Sequence, residues 1–252
     1  MTKVLITGMS GLIGGLLRDR LEATGGYELS ALNRSEVEGV ECYRADIADF
    51  EAVKEACEGK DVVVHLAAYL GSDDFEGQLR GNIVGTYNVF EAARLAGVER
   101  VVFASSGNTI RGYELVEPYR SIAAGEYDSV PDDIPMITHE MIRPEGIYGA
   151  AKVFGEALGR YYSDYYDLSV LCVRIGRVTR DNGLGAVRDR SIYLSHDDVA
   201  QILHLCVDAP EALKYDVFLA TSNNKWTYRD LAHPREVLGY VPKDSADDLP
   251  LG

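Results

Sequence analysis

Two residues four apart at the start of a predicted helix have side chains suited to proton transfer. Tyr148 and Lys152 project from one face of that helix, because positions i and i+4 are neighbours. An ammonium group beside a phenol favours the phenolate, so we expect the lysine to lower the tyrosine pKa. Such a tyrosine can take a proton from an alcohol as hydride leaves the carbon. A pair at this spacing also occurs by chance on helix surfaces, so further evidence is needed.

A pair of serines supplies part of that evidence. Ser105 and Ser106 stand at the carboxyl end of an apolar predicted strand, 101–105. In open parallel sheets, ligands bind beyond the carboxyl ends of the strands. We therefore predict that the Ser106 hydroxyl orients the reacting oxygen of a substrate. The alternative is an ordinary polar end of a strand.

A glycine-rich turn near the N-terminus indicates a dinucleotide. Gly8, Gly11 and Gly14 lie between a predicted strand, 3–7, and a predicted helix, 12–22. The first glycine permits a tight turn, the second lets a pyrophosphate approach backbone N–H groups, and the third allows close packing of helix and strand. An ordinary β–α turn is the alternative, but the position at the first strand favours dinucleotide binding.

Predicted strands and helices alternate along the chain, which is typical of a parallel sheet covered on both faces. We therefore expect an α/β doubly wound parallel sheet (Rossmann fold), as a single domain over 1–252 with a small substrate lobe formed mainly by 176–252. The irregular stretch 112–144 is long enough to predict a lid or a subunit contact. Further strands are predicted at 27–32, 41–44, 61–66, 168–175, 191–194 and 217–220, and helices at 50–57, 82–96, 148–165, 197–207 and 228–238.

Composition narrows the class of partner. Forty acidic and 25 basic residues give a formal net charge of −15, which argues against nucleic acid and anionic membranes. The four cysteines show no Cys-x-x-Cys spacing, which indicates structural thiols without a zinc site or any other metal. The chain enters a strand at once and has no membrane-spanning run, so we expect no signal peptide and a cytoplasmic protein.

Taken in order, these motifs resemble those of the extended short-chain dehydrogenase/reductases, the NAD-dependent epimerase/dehydratase superfamily. The resemblance covers nearly the whole chain and implies that Tyr148 is the general base, that Lys152 also holds the nicotinamide ribose, and that Asp46 contacts the adenine. It implies an NAD or NADP site. The residues expected there are Gly8, Ser10, Gly11, Leu12, Ile13, Gly14, Asn33, Arg34, Asp46, Ile47, Leu66, Ala67, Ala68, Asn82, Tyr148 and Lys152.

The second half of the chain is similar to uronate dehydrogenases and to the related archaeal NAD-dependent glucose-6-phosphate dehydrogenases. This similarity implies oxidation of a sugar at C1 to a lactone. It also implies that Arg188, which precedes the segment Ser-His-Asp-Asp at 195–198, binds a carboxylate or phosphate of the sugar. A solvated loop arginine is the alternative. Ser195 is predicted to cap a helix and His196 to be structural. The expected substrate contacts are Ser72, Ser106, Gly107, Asn108, Tyr148 and Arg188.

Two departures from the family pattern affect specificity. Asn33-Arg34 stands where NAD-specific members have an acidic residue, so we expect NADP to be accepted. Gly107-Asn108 replaces the Asn-His of uronate dehydrogenases, which leaves the identity of the sugar open.

A sugar-nucleotide epimerase or dehydratase and a non-catalytic NAD(P)-sensing regulator are the alternative functions. The tyrosines at 161–166 predict a packing or subunit face, and we expect a homodimer or higher homo-oligomer.

Overall fold

The computed structural model describes residues 1–71 and 74–251. In this part of the chain seven parallel strands form one sheet in the order β3-β2-β1-β4-β5-β6-β7. The chain starts near the middle and winds outward in both directions, which confirms the doubly wound α/β prediction. The strands are β1 (Thr2–Thr7), β2 (Tyr27–Asn33), β3 (Glu41–Arg44), β4 (Val62–His65), β5 (Arg100–Ser106), β6 (Ser169–Ile175) and β7 (Tyr215–Ala220).

Helices cover both faces of the sheet. One apolar core lies between the sheet and α1 with α8, and the other lies between the sheet and α2, α4 and α6. The helices are α1 (Leu12–Thr24), α2 (Phe50–Cys57), α3 (Phe75–Gln78), α4 (Gly85–Ala96), α5 (Tyr119–Ala124), α6 (Gly146–Tyr166), α7 (Asp189–Ile192), α8 (His196–Val207) and α9 (Ala232–Leu238). A π-helical segment, Leu79–Val84, joins α3 to α4.

Continuous apolar runs form the central strands. All four residues of β4 are buried, and β5 is buried up to its last residue. Strands that are covered on both faces lose the alternation of polar and apolar residues. These runs could therefore be recognised from the sequence, and β4 and β5 lie within a residue of the predicted limits.

The strand predicted at 191–194 is wrong. The chain forms the short helix α7 there, and Tyr193 alone makes a bridge, to Arg177. The Asp189 carboxylate accepts hydrogen bonds from the backbone N–H groups of Gly185, at 2.9 Å, and Ala186, at 3.2 Å. These bonds fold the segment before α7 back onto its first residue, and the Tyr193 N–H donates to the Asp189 carbonyl at 2.7 Å, which closes the helical turn.

The last helix begins four residues later than predicted, at Ala232. The residues before it are extended, because the Ile137 N–H donates to the Tyr228 carbonyl at 2.8 Å and the Asp230 N–H donates to the Ile137 carbonyl at 3.0 Å. The Asp230 carboxylate then accepts from the Ala232 N–H at 2.9 Å. Pairing with a distant segment therefore overrides the local helical preference.

The stretch 112–144 is folded against the sheet edge. It contains α5 and short 3-10 turns at Arg111–Leu115 and Tyr127–Ser129. Its apolar side chains share a small core with Ile192, Leu219 and Tyr228 from the C-terminal part of the chain. Among the described helices, none has the length and apolar character that a membrane crossing requires.

Two adjacent glycines in α1 test the close packing of this helix. A Cβ on Gly14 would lie 2.5 Å from the Gly8 carbonyl oxygen and 2.6 Å from the Met9 Cα, whereas a Cβ on Gly15 meets nothing within 4 Å. We expect Gly14→Ala to lower the free energy of unfolding by about 1–3 kcal/mol through overpacking. Gly15→Ala is the matched control and should raise it by roughly 0.5–1 kcal/mol, because alanine favours helix.

Urea denaturation of the two variants and the parent protein measures both changes. Equal stability of the two variants would contradict the close contact between α1 and the turn after β1.

Candidate active site

The glycine turn after β1 has the geometry of a phosphate-binding turn. Gly8 has φ of 75°, a left-handed conformation that glycine adopts without strain. A Cβ on Gly8 would lie 2.9 Å from the Ala67 nitrogen, so the turn packs tightly against the segment after β4. Gly11 precedes α1 and gives its first-turn N–H groups no side-chain acceptor. These groups are free to bind an anion.

A cleft of about 820 Å³ opens at the carboxyl ends of the strands beside this turn. Most of the predicted cofactor residues line it: Gly8, Ser10, Gly11, Asn33, Arg34, Asp46, Ile47, Leu66, Ala67 and Ala68. The predicted residues Leu12, Ile13, Gly14, Asn82, Tyr148 and Lys152 lie outside that lining. Further residues of the lining were not predicted, among them Ser35, Tyr69, Leu70, Gly77 and Arg80.

Asn33 at the end of β2 carries an unpaired acceptor in this cleft. The residue is 6% exposed, its amide nitrogen donates to the Ser10 hydroxyl, and its Oδ1 has no hydrogen-bond partner in the described part of the chain. A buried acceptor of this kind needs a donor, and a ribose hydroxyl of a dinucleotide supplies one. The exposed Arg34 follows directly. The residues present therefore fit a nicotinamide dinucleotide.

Asn82 does not line the cleft, but its side chain holds a segment that does. Its side chain accepts a hydrogen bond from the Tyr69 N–H at 2.9 Å and donates to the Tyr69 carbonyl at 2.7 Å. It also donates to the Gln78 side chain. Asn82 therefore positions the segment that forms one wall of the cleft.

The helix α6 brings the predicted catalytic residues together. A Cβ on Gly149 would lie 2.5 Å from the Asn108 carbonyl oxygen, so the first turn of α6 packs directly on the segment after β5. This contact places the Tyr148 side chain next to Ser106. Lys152 is 2% exposed, and its ammonium donates to the Ala104 carbonyl at 2.8 Å and lies 5.6 Å from the centre of the Tyr148 ring.

Burial controls the protonation of this pair. It raises the pKa of Tyr148, and the hydrogen bond from Ser106 offsets only part of that increase. It also lowers the pKa of Lys152 to about 8, against the opposing charge of Glu156. The expectation that Lys152 lowers the tyrosine pKa is therefore wrong here, because the desolvated surroundings disfavour the charged form of each group.

A buried ion pair holds the catalytic helix α6 against the strand β6. The Arg174 guanidinium on β6 makes two hydrogen bonds to the Glu156 carboxylate, both 2.8 Å, and the Ser105 hydroxyl donates to the same carboxylate. Arg174 also donates to the Met141 carbonyl at 2.9 Å. Sequence reasoning missed this network. A charged residue inside the apolar run of β6 was the available signal, because buried charges require partners.

The predicted substrate residues follow β5. Gly107 and Asn108 form a tight 3-10 turn, in which the Asn108 N–H donates to the Ser106 hydroxyl oxygen at 3.1 Å. Arg188 makes a bidentate ion pair with Glu114, at 2.7 and 2.6 Å. Its charge is thus paired within the protein, and its contact with substrate stays a prediction. Ser72 lies outside the described residues.

The segment 195–198 has a structural role. The Ser195 hydroxyl accepts from the Asp198 N–H at 3.1 Å, which confirms the predicted helix cap. The His196 ring nitrogen Nε2 contacts the Thr179 carbonyl oxygen at 2.7 Å. Asp198 is fully buried and accepts hydrogen bonds from the Ser222 hydroxyl and from the Lys243 and Asp244 N–H groups.

A cluster of His139, Asp216 and His233 has the residue types of a metal site. Its two imidazoles are stacked, with ring centres 3.8 Å apart and planes at 15°. Nearly parallel rings direct their in-plane lone pairs side by side, not toward one point, so this geometry does not favour shared coordination of an ion. The His233 ring also contacts the Asp216 carboxylate at 2.8 Å. The expectation that the protein binds no metal remains a prediction.

Characterised relatives share this architecture. The NAD-dependent glucose-6-phosphate dehydrogenase of Haloferax volcanii is 32% identical over 98% of this chain and 95% of its own. The L-arabinose 1-dehydrogenase (NAD(P)(+)) of the same organism is 32% identical over 98% of both chains. A uronate dehydrogenase of Agrobacterium tumefaciens, solved in complex with NAD, is 34% identical and superposes with a TM-score of 0.82 over 98% of this chain and 86% of its own.

The family model described as the NAD dependent epimerase/dehydratase family matches residues 4–180. This match includes the glycine turn, the serine pair and the Tyr-x-x-x-Lys pair. The chain belongs to the NAD-dependent epimerase/dehydratase family.

Proposed function

We propose that this protein is an NAD(P)-dependent dehydrogenase that oxidises the C1 hydroxyl of a small sugar, sugar acid or sugar monophosphate to a lactone. The observation that carries the proposal is the placement of Tyr148 next to Ser106, with the buried Lys152 ammonium 5.6 Å from the centre of the tyrosine ring, at the same edge of the sheet as the dinucleotide cleft. The relatives named as sugar dehydrogenases support the same reaction class.

The roles of the residues follow from their positions. Ser106 donates a hydrogen bond to the sugar O1 and orients it, and the Tyr148 phenolate oxygen receives the O1 proton. Lys152, whose ammonium lies 5.6 Å from the centre of the Tyr148 ring, holds the nicotinamide ribose. The cofactor, when bound, would supply the acceptor for the hydride from C1.

A small substrate is favoured over a nucleotide sugar. Among the described residues, α6 is followed by two strands of the sheet, the helices α7, α8 and α9, and connecting loops. We infer that residues 176–252 mainly form the substrate lobe, and a small lobe encloses a small pocket. An epimerase needs room for a nucleotide diphosphate as well as the sugar. The regulator remains less favoured, because a Ser-Tyr-Lys set has no use in sensing alone.

Two further proposals concern the state of the protein in the cell. Exposed aromatic side chains, Tyr87 on α4 and Tyr161, Tyr165 and Tyr166 on α6, lie on helices that pack together, which favours a homodimer through this face. All four cysteines are free thiols, and three are buried, which suits the reducing cytoplasm.

A substrate screen tests the function. Purified protein is incubated with NAD or NADP and with neutral aldoses, uronic acids, aldose phosphates and a nucleotide sugar, and the absorbance of the reduced nicotinamide is followed. We expect reduction with a free or monophosphorylated sugar and a lactone product. Epimerisation of the nucleotide sugar without net cofactor reduction identifies the epimerase, and tight cofactor binding without turnover of any sugar identifies the regulator.

Replacing the general base should abolish most of the turnover. We expect Tyr148→Phe to lower kcat by about 10²–10⁴-fold while cofactor affinity is retained. Because burial raises the Tyr148 pKa, the phenolate fraction and the oxidation rate should increase with pH in the parent protein, and this pH dependence should be lost in the variant. Tyr165→Phe, on the same helix at a residue 74% exposed, is the control. Near-normal turnover by Tyr148→Phe would exclude this tyrosine as the base.

Arg34 should determine binding of the 2′-phosphate of NADP. We expect the parent protein to bind NADP, because no carboxylate at Asn33-Arg34 repels the phosphate and a guanidinium is available. Arg34→Ala should weaken NADP binding by about tenfold or more and leave NAD binding unchanged. Fluorescence titration with both cofactors measures this, with NAD as the internal control. A parent protein that binds NAD far more tightly than NADP would contradict the prediction.

A further inference from the structure

Arg229 is a buried guanidinium with two unpaired nitrogens. The residue is 2% exposed, and among the described residues neither Nε nor Nη1 has a hydrogen-bond partner. Its backbone is firmly held, since the adjacent Tyr228 carbonyl and Asp230 N–H both pair with Ile137. A desolvated cation with unpaired donors is strongly unfavourable. A bound anion would accept hydrogen bonds from these donors and balance the charge.

The nearby carboxylates are already engaged. Glu114 accepts two hydrogen bonds from Arg188 and a third, at 2.6 Å, from the Tyr228 hydroxyl. Glu156 is paired with Arg174. Arg188 is thus paired with Glu114 and Arg174 with Glu156, whereas the charge of Arg229 has no carboxylate partner in the part of the chain that the structure describes. Desolvation and the neighbouring Arg188 and Arg174 lower the pKa of Arg229, consistent with that unpaired charge, although Tyr228 and Glu114 act in the opposite direction.

The unpaired guanidinium lies beside the catalytic serine. Gly107 directly follows Ser106, and a methyl group on Gly107 would overlap the Arg229 guanidinium. The absence of a side chain at 107 therefore lets the cation reach the turn that positions Ser106 and Asn108. We therefore expect an anionic group on a substrate whose reacting hydroxyl is held by Ser106 and Tyr148 to lie near this guanidinium.

We propose that Arg229 is a specificity-determining residue that binds the carboxylate or phosphate of an anionic sugar in this site. Guanidinium matches the planar, bidentate geometry of such oxyanions. The proposal rests on the function proposed above and assigns to Arg229 the anion contact that the sequence suggested for Arg188. Binding of the anion supplies the missing partners of Nε or Nη1 and neutralises the charge of Arg229.

The test compares Arg229→Leu with the parent protein on three substrates: a uronic acid, an aldose 6-phosphate and the neutral aldose. We expect KM to rise by about ten- to hundredfold for whichever anionic sugar the parent protein oxidises, because a charge-assisted hydrogen bond is lost. The KM for the neutral aldose and the affinity for NAD should be unchanged. Arg229→Lys retains the charge and should recover part of the loss, and more for the phosphate than for the carboxylate.

Arg160→Leu is the matched control for net charge. Arg160 is exposed on α6 and pairs with Asp164 at 2.8 Å, so its removal changes the net charge equally without touching the site. Its KM values should match those of the parent protein. A KM for the neutral aldose that rises as much as that for the anions in Arg229→Leu would overturn the proposal, and so would unchanged values for all three sugars.

A binding measurement separates this proposal from the proposed reaction. Calorimetric titration of the NAD-saturated protein with the uronic acid and with inorganic phosphate needs no turnover. Anion binding that is lost in Arg229→Leu and kept in Arg160→Leu supports the anion site even where no sugar is oxidised. Equal anion binding by Arg229→Leu and the parent protein overturns it while leaving sugar oxidation intact. Thermal unfolding verifies folding, and removal of an unpaired buried charge should not lower the Tm.

Discussion

The buried ion pair between Arg174 and Glu156 is the contact on which the active site depends. Its side chains are 1% and 4% exposed, and it connects β6 to α6 while engaging Ser105 of β5 and the Met141 carbonyl. Loss of one partner from such a pair typically costs about 3–5 kcal/mol, because the other charge is left buried. The pair therefore holds the catalytic helix, the serine strand and the loop before the helix at one separation.

Close packing of α6 on the sheet completes this arrangement. A methyl group on Gly155 would overlap the Phe103 ring, and one on Gly149 would meet the Asn108 carbonyl oxygen at 2.5 Å. The small residues bring the helix near enough for Tyr148 to contact Ser106, and they enclose Lys152 between helix and strand. The same enclosure raises the pKa of the phenol and lowers that of the amine. Proximity and altered proton affinity thus have one cause.

Positive charge near Ser106 is balanced unevenly. Glu114 neutralises Arg188 and Glu156 neutralises Arg174, whereas Arg229 has no carboxylate partner within residues 1–71 and 74–251. On the cofactor side, Asn33 similarly keeps an unpaired Oδ1 inside the cleft. Unpaired buried polar groups reduce stability, and their occurrence at the two places where cofactor and substrate are expected is consistent with a site that ligands complete.

The sequence by itself determined the local patterns: the glycine turn of Gly8, the apolar run of β4, the cap by Ser195 and the Tyr148–Lys152 spacing. These patterns depend on a residue's own conformation or on neighbours within a turn, so they can be predicted from the sequence alone. The tertiary structure alone decided that Arg188 pairs with Glu114, that Arg229 stays unpaired, and that 191–192 is helical. Those outcomes depend on partners distant in the chain and on desolvation, and neither spacing nor composition reports which carboxylate reaches which guanidinium.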